Sequence, residues 1–189
     1  MNLNLGSRVS NALPYVVLAL GILFYLSPFV PVLDYYDSSY DLVFLSPSYV
    51  VGGVFAWLYT RERVEELTYV LAVPAVTLLI LTVMWLYFEF PGPYALRSRF
   101  VFGFASVSFF YVIGHTARAK EWSYVVASVL AYFVCLSAIV VVPPFDPWTF
   151  LALFLVLVVT LGAGVPLALV AYVLSNGDQS GRGDGGEQI

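Results

Sequence analysis

The stretch PWTFLALFLVLVVTLGAGVPLALVAYVLS, residues 147–175, decides the fold class of this chain. It contains no Asp, Glu, Lys or Arg, and it is longer than the about 20 apolar residues that a helix needs to cross a bilayer. Asp146 precedes it and Pro147 opens it. Aspartate commonly caps the first turn of a helix. Proline is tolerated at the first helical position, because an N–H group there would have no acceptor within the helix. The stretch therefore predicts a membrane-spanning helix.

Five further stretches lack charged side chains, which brings the predicted spans to 12–33, 42–60, 67–88, 100–117, 122–142 and 147–175. The composition agrees, because 61% of the residues are hydrophobic and 11% are charged, with a mean hydropathy of +0.89. An average soluble domain is about half apolar and a quarter charged. We therefore expect an all-α bundle of six transmembrane helices, one domain over residues 1–175. The glycine-rich residues 176–189 predict a disordered tail.

The basic residues orient the predicted bundle. A cytoplasmic N-terminus places most of them inside the cell: Arg8, Arg61, Arg63, Arg118, Lys120 and Arg182. Only Arg97 and Arg99 then lie outside. Because cytoplasmic loops carry the excess of Lys and Arg, both termini are predicted to be cytoplasmic and the location to be the cell membrane. The four tryptophans fall at predicted span ends, as an aromatic belt requires.

Several function classes are excluded by what the sequence lacks. A net charge of −4 without a basic patch argues against a nucleic-acid partner. The predicted spans contain no Asp, Glu, Lys or Arg, which argues against a proton-coupled transporter or pump. His115 is the single histidine, so a multi-histidine zinc or haem site cannot form, and we expect no cofactor. His115 is predicted to lie on the cytoplasmic surface near Arg61, Arg63, Arg118 and Lys120.

A nucleophile–base pair is also absent from the sequence pattern. Ser106 and Ser108 lie in the fourth predicted span, but His115 is nine residues from Ser106 on the same helix. That spacing corresponds to about 13 Å along the axis, which is too far for a hydrogen bond. We expect no enzymatic activity. An enzyme acting on lipid through interfacial residues is the remaining catalytic alternative.

Acidic residues concentrate in the predicted external loops. Together with two arginines they form a candidate external polar cluster: Asp34, Asp37, Asp41, Glu89, Arg97, Arg99 and Asp146. Hard cations such as Ca²⁺ favour carboxylate clusters of this kind. The alternative is an acidic, tyrosine-rich loop that maintains the charge bias across the membrane. Each external turn also combines proline with an acid, which fits a tripled helical hairpin as an alternative to independent turns.

Proline and glycine interrupt two predicted spans. Pro74 lies in the third, and Gly162, Gly164 and Pro166 lie midway along the sixth. Proline kinks a helix and frees backbone carbonyls, so these four residues are a candidate hinge or pore element. Small residues also recur every fourth position, and such ladders let helices approach closely: Gly52 and Ala56, Ala127, Ala131 and Cys135, and Gly164 and Ala168.

These features favour a non-catalytic membrane component, either an accessory subunit or a scaffold. Its partners would be the lipid bilayer and either another membrane protein or further copies of the chain. The alternative is a channel or carrier for a small neutral or apolar solute, which the kinks at Pro74 and Pro166 motivate.

Overall fold

The computed structural model describes residues 5–27, 43–61, 66–87, 103–141 and 147–175. Within these ranges the backbone is helical and contains no β-strand, which confirms the predicted all-α class. The helices are α1 (Leu5–Leu26), α2 (Ser46–Thr60), α3 (Glu66–Tyr87), α4 (Val107–Arg118), α5 (Trp122–Val141) and α6 (Pro147–Leu174).

Helix ends differ from the predicted spans where a polar group alters the backbone pattern. The fourth predicted span starts at residue 100, whereas α4 starts at Val107 after a short helical piece and a turn at Ser106. The Ser106 hydroxyl donates a hydrogen bond to the Gly103 carbonyl, an alternative to the helical ladder. α1 begins at Leu5, because backbone hydrogen bonds extend a helix beyond its apolar run.

One helix meets the requirements for crossing a membrane. Its segment Leu153–Leu174, within α6, is long enough and apolar enough to do so. Apolar segments in α1, α3 and α5 are shorter: Asn11–Leu26, Tyr69–Met84 and Trp122–Ser137. Among the described residues, length and composition thus support a single spanning helix.

α1 and α2 form a tight antiparallel hairpin. Gly21 lies against Val50, and Gly53 lies against Leu18, so residue numbers rise along one helix as they fall along the other. A Cβ placed on Gly53 would come within 2.7 Å of Leu18 Cγ. The two glycines therefore allow the helices to approach more closely than larger residues would.

α3 runs antiparallel to both of its neighbours in the bundle. Near its beginning, the Tyr69 ring stacks on Tyr59 from the end of α2, with centroids 5.1 Å apart. Near its other end, Leu81 shares an apolar cluster with Ala105, just before α4. The ends of α2 and α4 consequently lie together at one end of the bundle, which we call the Arg118 end.

α4 and α6 run parallel in one register. Contacts recur every four residues along both helices and pair Phe110 with Gly164, Gly114 with Ala168, and Arg118 with Tyr172. A Cβ on Gly114 would overlap the Ala168 carbonyl group, so at this level the two backbones touch. The predicted ladder of Gly164 and Ala168 faces α4, and Gly114 is its counterpart.

The three hairpins α1–α2, α3–α4 and α5–α6 pack in a cyclic pattern. Their second helices, α2, α4 and α6, contact one another. Each first helix contacts its own partner and the second helix of the preceding hairpin: α1 contacts α2 and α6, α3 contacts α4 and α2, and α5 contacts α6 and α4. The proline and acidic residues on which the tripled hairpin was based lie outside the described residues, so the repeat stays a prediction.

Candidate functional site

A cluster of rings fills the space between α2, α3 and α4 near the Arg118 end. Tyr69, which is fully buried, lies at its centre. Its ring centroid is 5.1 Å from Tyr59, 5.4 Å from Tyr111 and 6.0 Å from His115, and Phe55 is 5.9 Å away. Aromatic pairs at these distances add about 0.5–1.5 kcal/mol each beyond the burial of their surface. These five residues are the tyrosine cluster.

His115 lies inside the bundle, not on the cytoplasmic surface where the sequence placed it. Only 4% of its surface is exposed. Its ring makes edge contacts with Tyr59 and Tyr69, each with centroids 6.0 Å apart. The reason is its position on α4, where it follows the buried Tyr111 by one helical turn and shares its inward face.

Among the side chains that the structure describes, four buried hydroxyl groups have no hydrogen-bond partner: those of Ser48, Tyr69, Thr77 and Tyr111. Tyr69 and Thr77 are eight residues apart on one face of α3, which separates them by about 12 Å along the helix. Ser48 and Tyr111 come from α2 and α4, the two helices that pack against α3. We call these four groups the hydroxyl seam.

The hydroxyl seam is polar but uncharged. An unsatisfied buried hydroxyl costs about 1–3 kcal/mol, so a molecule that pairs with these groups would be stabilised there. Hydroxyls donate and accept hydrogen bonds but hold no charge, so their chemistry suits water or a neutral hydrogen-bonding molecule.

The two serines considered as nucleophiles donate their hydroxyl hydrogen bonds to backbone carbonyl groups. Ser106 donates to the Gly103 carbonyl, and Ser108 donates to the Ala105 carbonyl at 2.7 Å. Both side chains are fully buried. These local bonds satisfy the hydroxyls within α4 and its preceding turn, as small polar residues commonly do in apolar helices.

The candidate hinge or pore residues do not converge. Gly162 and Pro166 are exposed, whereas Pro74 and Gly164 are buried in different helices. A Cβ on Gly162 would meet nothing within 4 Å, while one on Gly164 would overlap the Phe110 ring. α6 continues as helix through this region. In the structure, then, Gly164 serves helix packing, and Gly162 faces outward.

A backbone carbonyl near Pro166 nevertheless accepts a hydrogen bond from another helix. Proline cannot donate to the carbonyl four residues earlier, which weakens the hydrogen-bond ladder locally. The Tyr49 hydroxyl from α2 donates to the neighbouring Ala163 carbonyl at 2.6 Å. The sequence predicted that freed carbonyls could bind a substrate. In the structure, the Tyr49 side chain of the same chain binds a carbonyl in this turn.

The basic side chains that the structure describes lie at or just after the ends of α2 and α4. Arg61 is exposed at the end of α2, with its guanidinium carbon 5.4 Å from the Trp57 ring centroid. Arg118 is exposed at the end of α4 and donates from Nη1 to the Tyr172 hydroxyl at 3.2 Å. Lys120 is exposed two residues later. Arg63 lies outside the described residues.

The candidate external polar cluster lies entirely outside the described residues: Asp34, Asp37, Asp41, Glu89, Arg97, Arg99 and Asp146. Among the residues that are described, no group of three or more His, Cys, Asp or Glu side chains could hold a metal ion.

Sequence reasoning missed the tyrosines that build the interior. Tyr69 and Thr77 are separated by eight residues in an apolar span, and this spacing places polar groups on one inward helical face. Gly114 was also missed, although it precedes His115 directly.

No protein-family model matches the chain, and no curated protein or solved structure matches it.

Proposed function

We propose that the chain is a multi-pass membrane protein that crosses the bilayer six times and serves as a non-catalytic accessory or scaffold subunit. Both termini would lie on the cytoplasmic side, at the Arg118 end. The alternation of helix direction supports this topology, because an even number of crossings returns the chain to its starting side.

The observation that carries the proposal is the apolar outer surface. Large hydrophobic side chains point away from the bundle on four helices: Leu23 on α1, Leu79 on α3, Val134 on α5 and Phe154 on α6 are each at least 60% exposed. Several serine, threonine and tyrosine side chains and the histidine are buried instead. A soluble monomer rarely exposes a large contiguous apolar patch, whereas lipid or a membrane partner would cover it.

α5 supports a role in assembly. It packs inward through Tyr132 and Leu136, and the Tyr132 hydroxyl lies 3.0 Å from Thr160 Oγ1 on α6. Its other side leaves Leu130 and Phe133 exposed, and Ala127 is exposed beside them. This combination of large and small residues suits the close approach of another membrane helix.

The second candidate is a channel or carrier for a small neutral solute. The hydroxyl seam favours it, because its four unpartnered groups belong to three neighbouring helices and would gain hydrogen bonds to a neutral polar molecule. In this conformation the groups are fully enclosed, so passage requires α3 to move relative to α2 or α4.

Native mass spectrometry of the full-length protein, extracted in a mild detergent, tests both candidates. A protein partner at a fixed ratio supports the subunit proposal. A lone species that carries a reproducible small-molecule mass supports the solute proposal instead. A lone chain with neither, in several mild extractions, contradicts both.

A matched pair of variants sharpens the partner test. Ala127→Phe enlarges the outward face of α5 and should lower partner recovery several-fold. Ala75→Phe makes the same change on the exposed face of α3 and should leave recovery unchanged. Equal recovery with both variants would exclude α5 as the contact surface.

A further inference from the structure

We propose that Arg118 and Lys120 bind the phosphate of an anionic phospholipid headgroup at the Arg118 end. This inference rests on the proposed membrane location, and it adds a ligand to that location.

Basic side chains at this end are exposed to the surroundings of the bundle. Of the side chains whose surroundings the structure describes, the charged ones are Arg61, Arg118, Lys120 and Glu121. Three of these four side chains are basic and one is acidic. A cytoplasmic leaflet that contains anionic lipids attracts such a surface at about 1 kcal/mol per basic residue.

The Arg118 guanidinium is held in place before any ligand binds. It donates to the Tyr172 hydroxyl, and its central carbon lies 5.2 Å from the Tyr172 ring centroid. Tyr172 is held opposite Arg118 by the register of α4 on α6, in which Gly114 touches Ala168. A guanidinium has five N–H donors, so this single bond leaves others that can pair with phosphate oxygens.

Lys120 adds a second positive charge in the turn that follows. The turn continues through Glu121, an exposed carboxylate that opposes phosphate binding, into Trp122 at the start of α5. Trp122 is 65% exposed. Tryptophan at the boundary of an apolar helix is typical of the headgroup region, where lipid phosphates lie. The site therefore combines a positioned arginine, a lysine and a membrane-interface aromatic.

Competition between lipids tests the site. The full-length protein in a nonionic detergent is mixed with equimolar phosphatidylglycerol and phosphatidylcholine, and the retained lipids are counted by native mass spectrometry. The wild type should retain phosphatidylglycerol preferentially. Arg118→Gln should lower that preference more than about ten-fold, because it removes charge-assisted hydrogen bonds to the phosphate in addition to one positive charge. Tyr172→Phe, which keeps the ring but removes the hydroxyl, should cause a smaller loss.

Arg61→Gln is the matched control, because it removes the same charge from the end of α2. It should lower the preference only about five-fold, which is the effect of losing one positive charge near the surface. Equal retention of the two lipids by the wild type, or an equal loss in Arg61→Gln and Arg118→Gln with unchanged helix content, would overturn the proposal. Displacement of phosphatidylglycerol by inorganic phosphate would assign the site to free phosphate and would overturn the lipid assignment.

The same preparation separates this inference from the proposed function. A protein that stays monodisperse without detergent contradicts the membrane location. A protein that needs detergent but shows no preference for the anionic lipid contradicts the headgroup site alone.

Discussion

Lys120 adopts a φ of 60°, a left-handed conformation that favours glycine. It follows the end of α4, where the Glu121 N–H donates to the Thr116 carbonyl at 2.9 Å and the Lys120 N–H donates to the Ala117 carbonyl at 3.3 Å. These two bonds define a Schellman motif, in which glycine is the usual residue at this position. The chain keeps lysine there despite a conformational cost of about 1–2 kcal/mol.

Replacing Lys120 should therefore stabilise the protein. Lys120→Gly relieves the left-handed backbone, and after the added flexibility of the unfolded chain we expect a gain of about 0.5–1 kcal/mol in the free energy of unfolding. The measurement is denaturant unfolding in nonionic detergent, followed by circular dichroism. Lys120→Gln removes the charge but retains the strained backbone, so it should show little gain. If both variants are equally stabilised, charge and not backbone conformation limits this turn.

At the scale of helices, two glycines make opposite predictions. A Cβ on Gly114 would overlap the Ala168 carbonyl, so α4 and α6 would have to separate in Gly114→Ala. Overpacking of this kind costs about 1–3 kcal/mol. In Gly162→Ala the new methyl group meets nothing within 4 Å, and alanine is the better helix former by about 1 kcal/mol.

Thermal unfolding in detergent should therefore rank Gly162→Ala at or above the wild type and Gly114→Ala well below it. A stable Gly114→Ala variant would contradict the contact of α4 with α6. A loss of solute passage in a stable Gly162→Ala variant would instead support the hinge or pore element that the sequence suggested.

The helices themselves could be predicted because each apolar run is a local property of the chain. Pro147 shows this, since it begins α6 where the capping pattern indicated. The inward faces could not be predicted, because an apolar span carries little contrast between its sides. His115 illustrates the difficulty: its polarity suggested a surface, but contacts with Tyr59 and Tyr69 from other helices place it inside. The external polar cluster stays a prediction.

At the scale of the whole molecule, the cyclic packing of three hairpins requires each to cross between the same two ends. Tyr172 near the end of α6 bonds to Arg118 at the end of α4, and both lie with Arg61 at one end of the bundle. If the chain crosses the membrane six times, the connections within the hairpins must therefore lie on one side of the bilayer, and the connections between the hairpins must lie on the other.

Cysteine labelling in intact cells reads this alternation directly. In a Cys135→Ser background, a membrane-impermeant maleimide should label Asp37→Cys and Ser98→Cys on the outside. Arg63→Cys and Ala119→Cys should react only after permeabilisation. The reverse pattern would keep six crossings but invert the orientation, which would contradict the assignment drawn from the basic residues. Labelling of all four sites in intact cells would contradict the six-crossing topology. In that topology, two of the four sites lie on each side of the membrane.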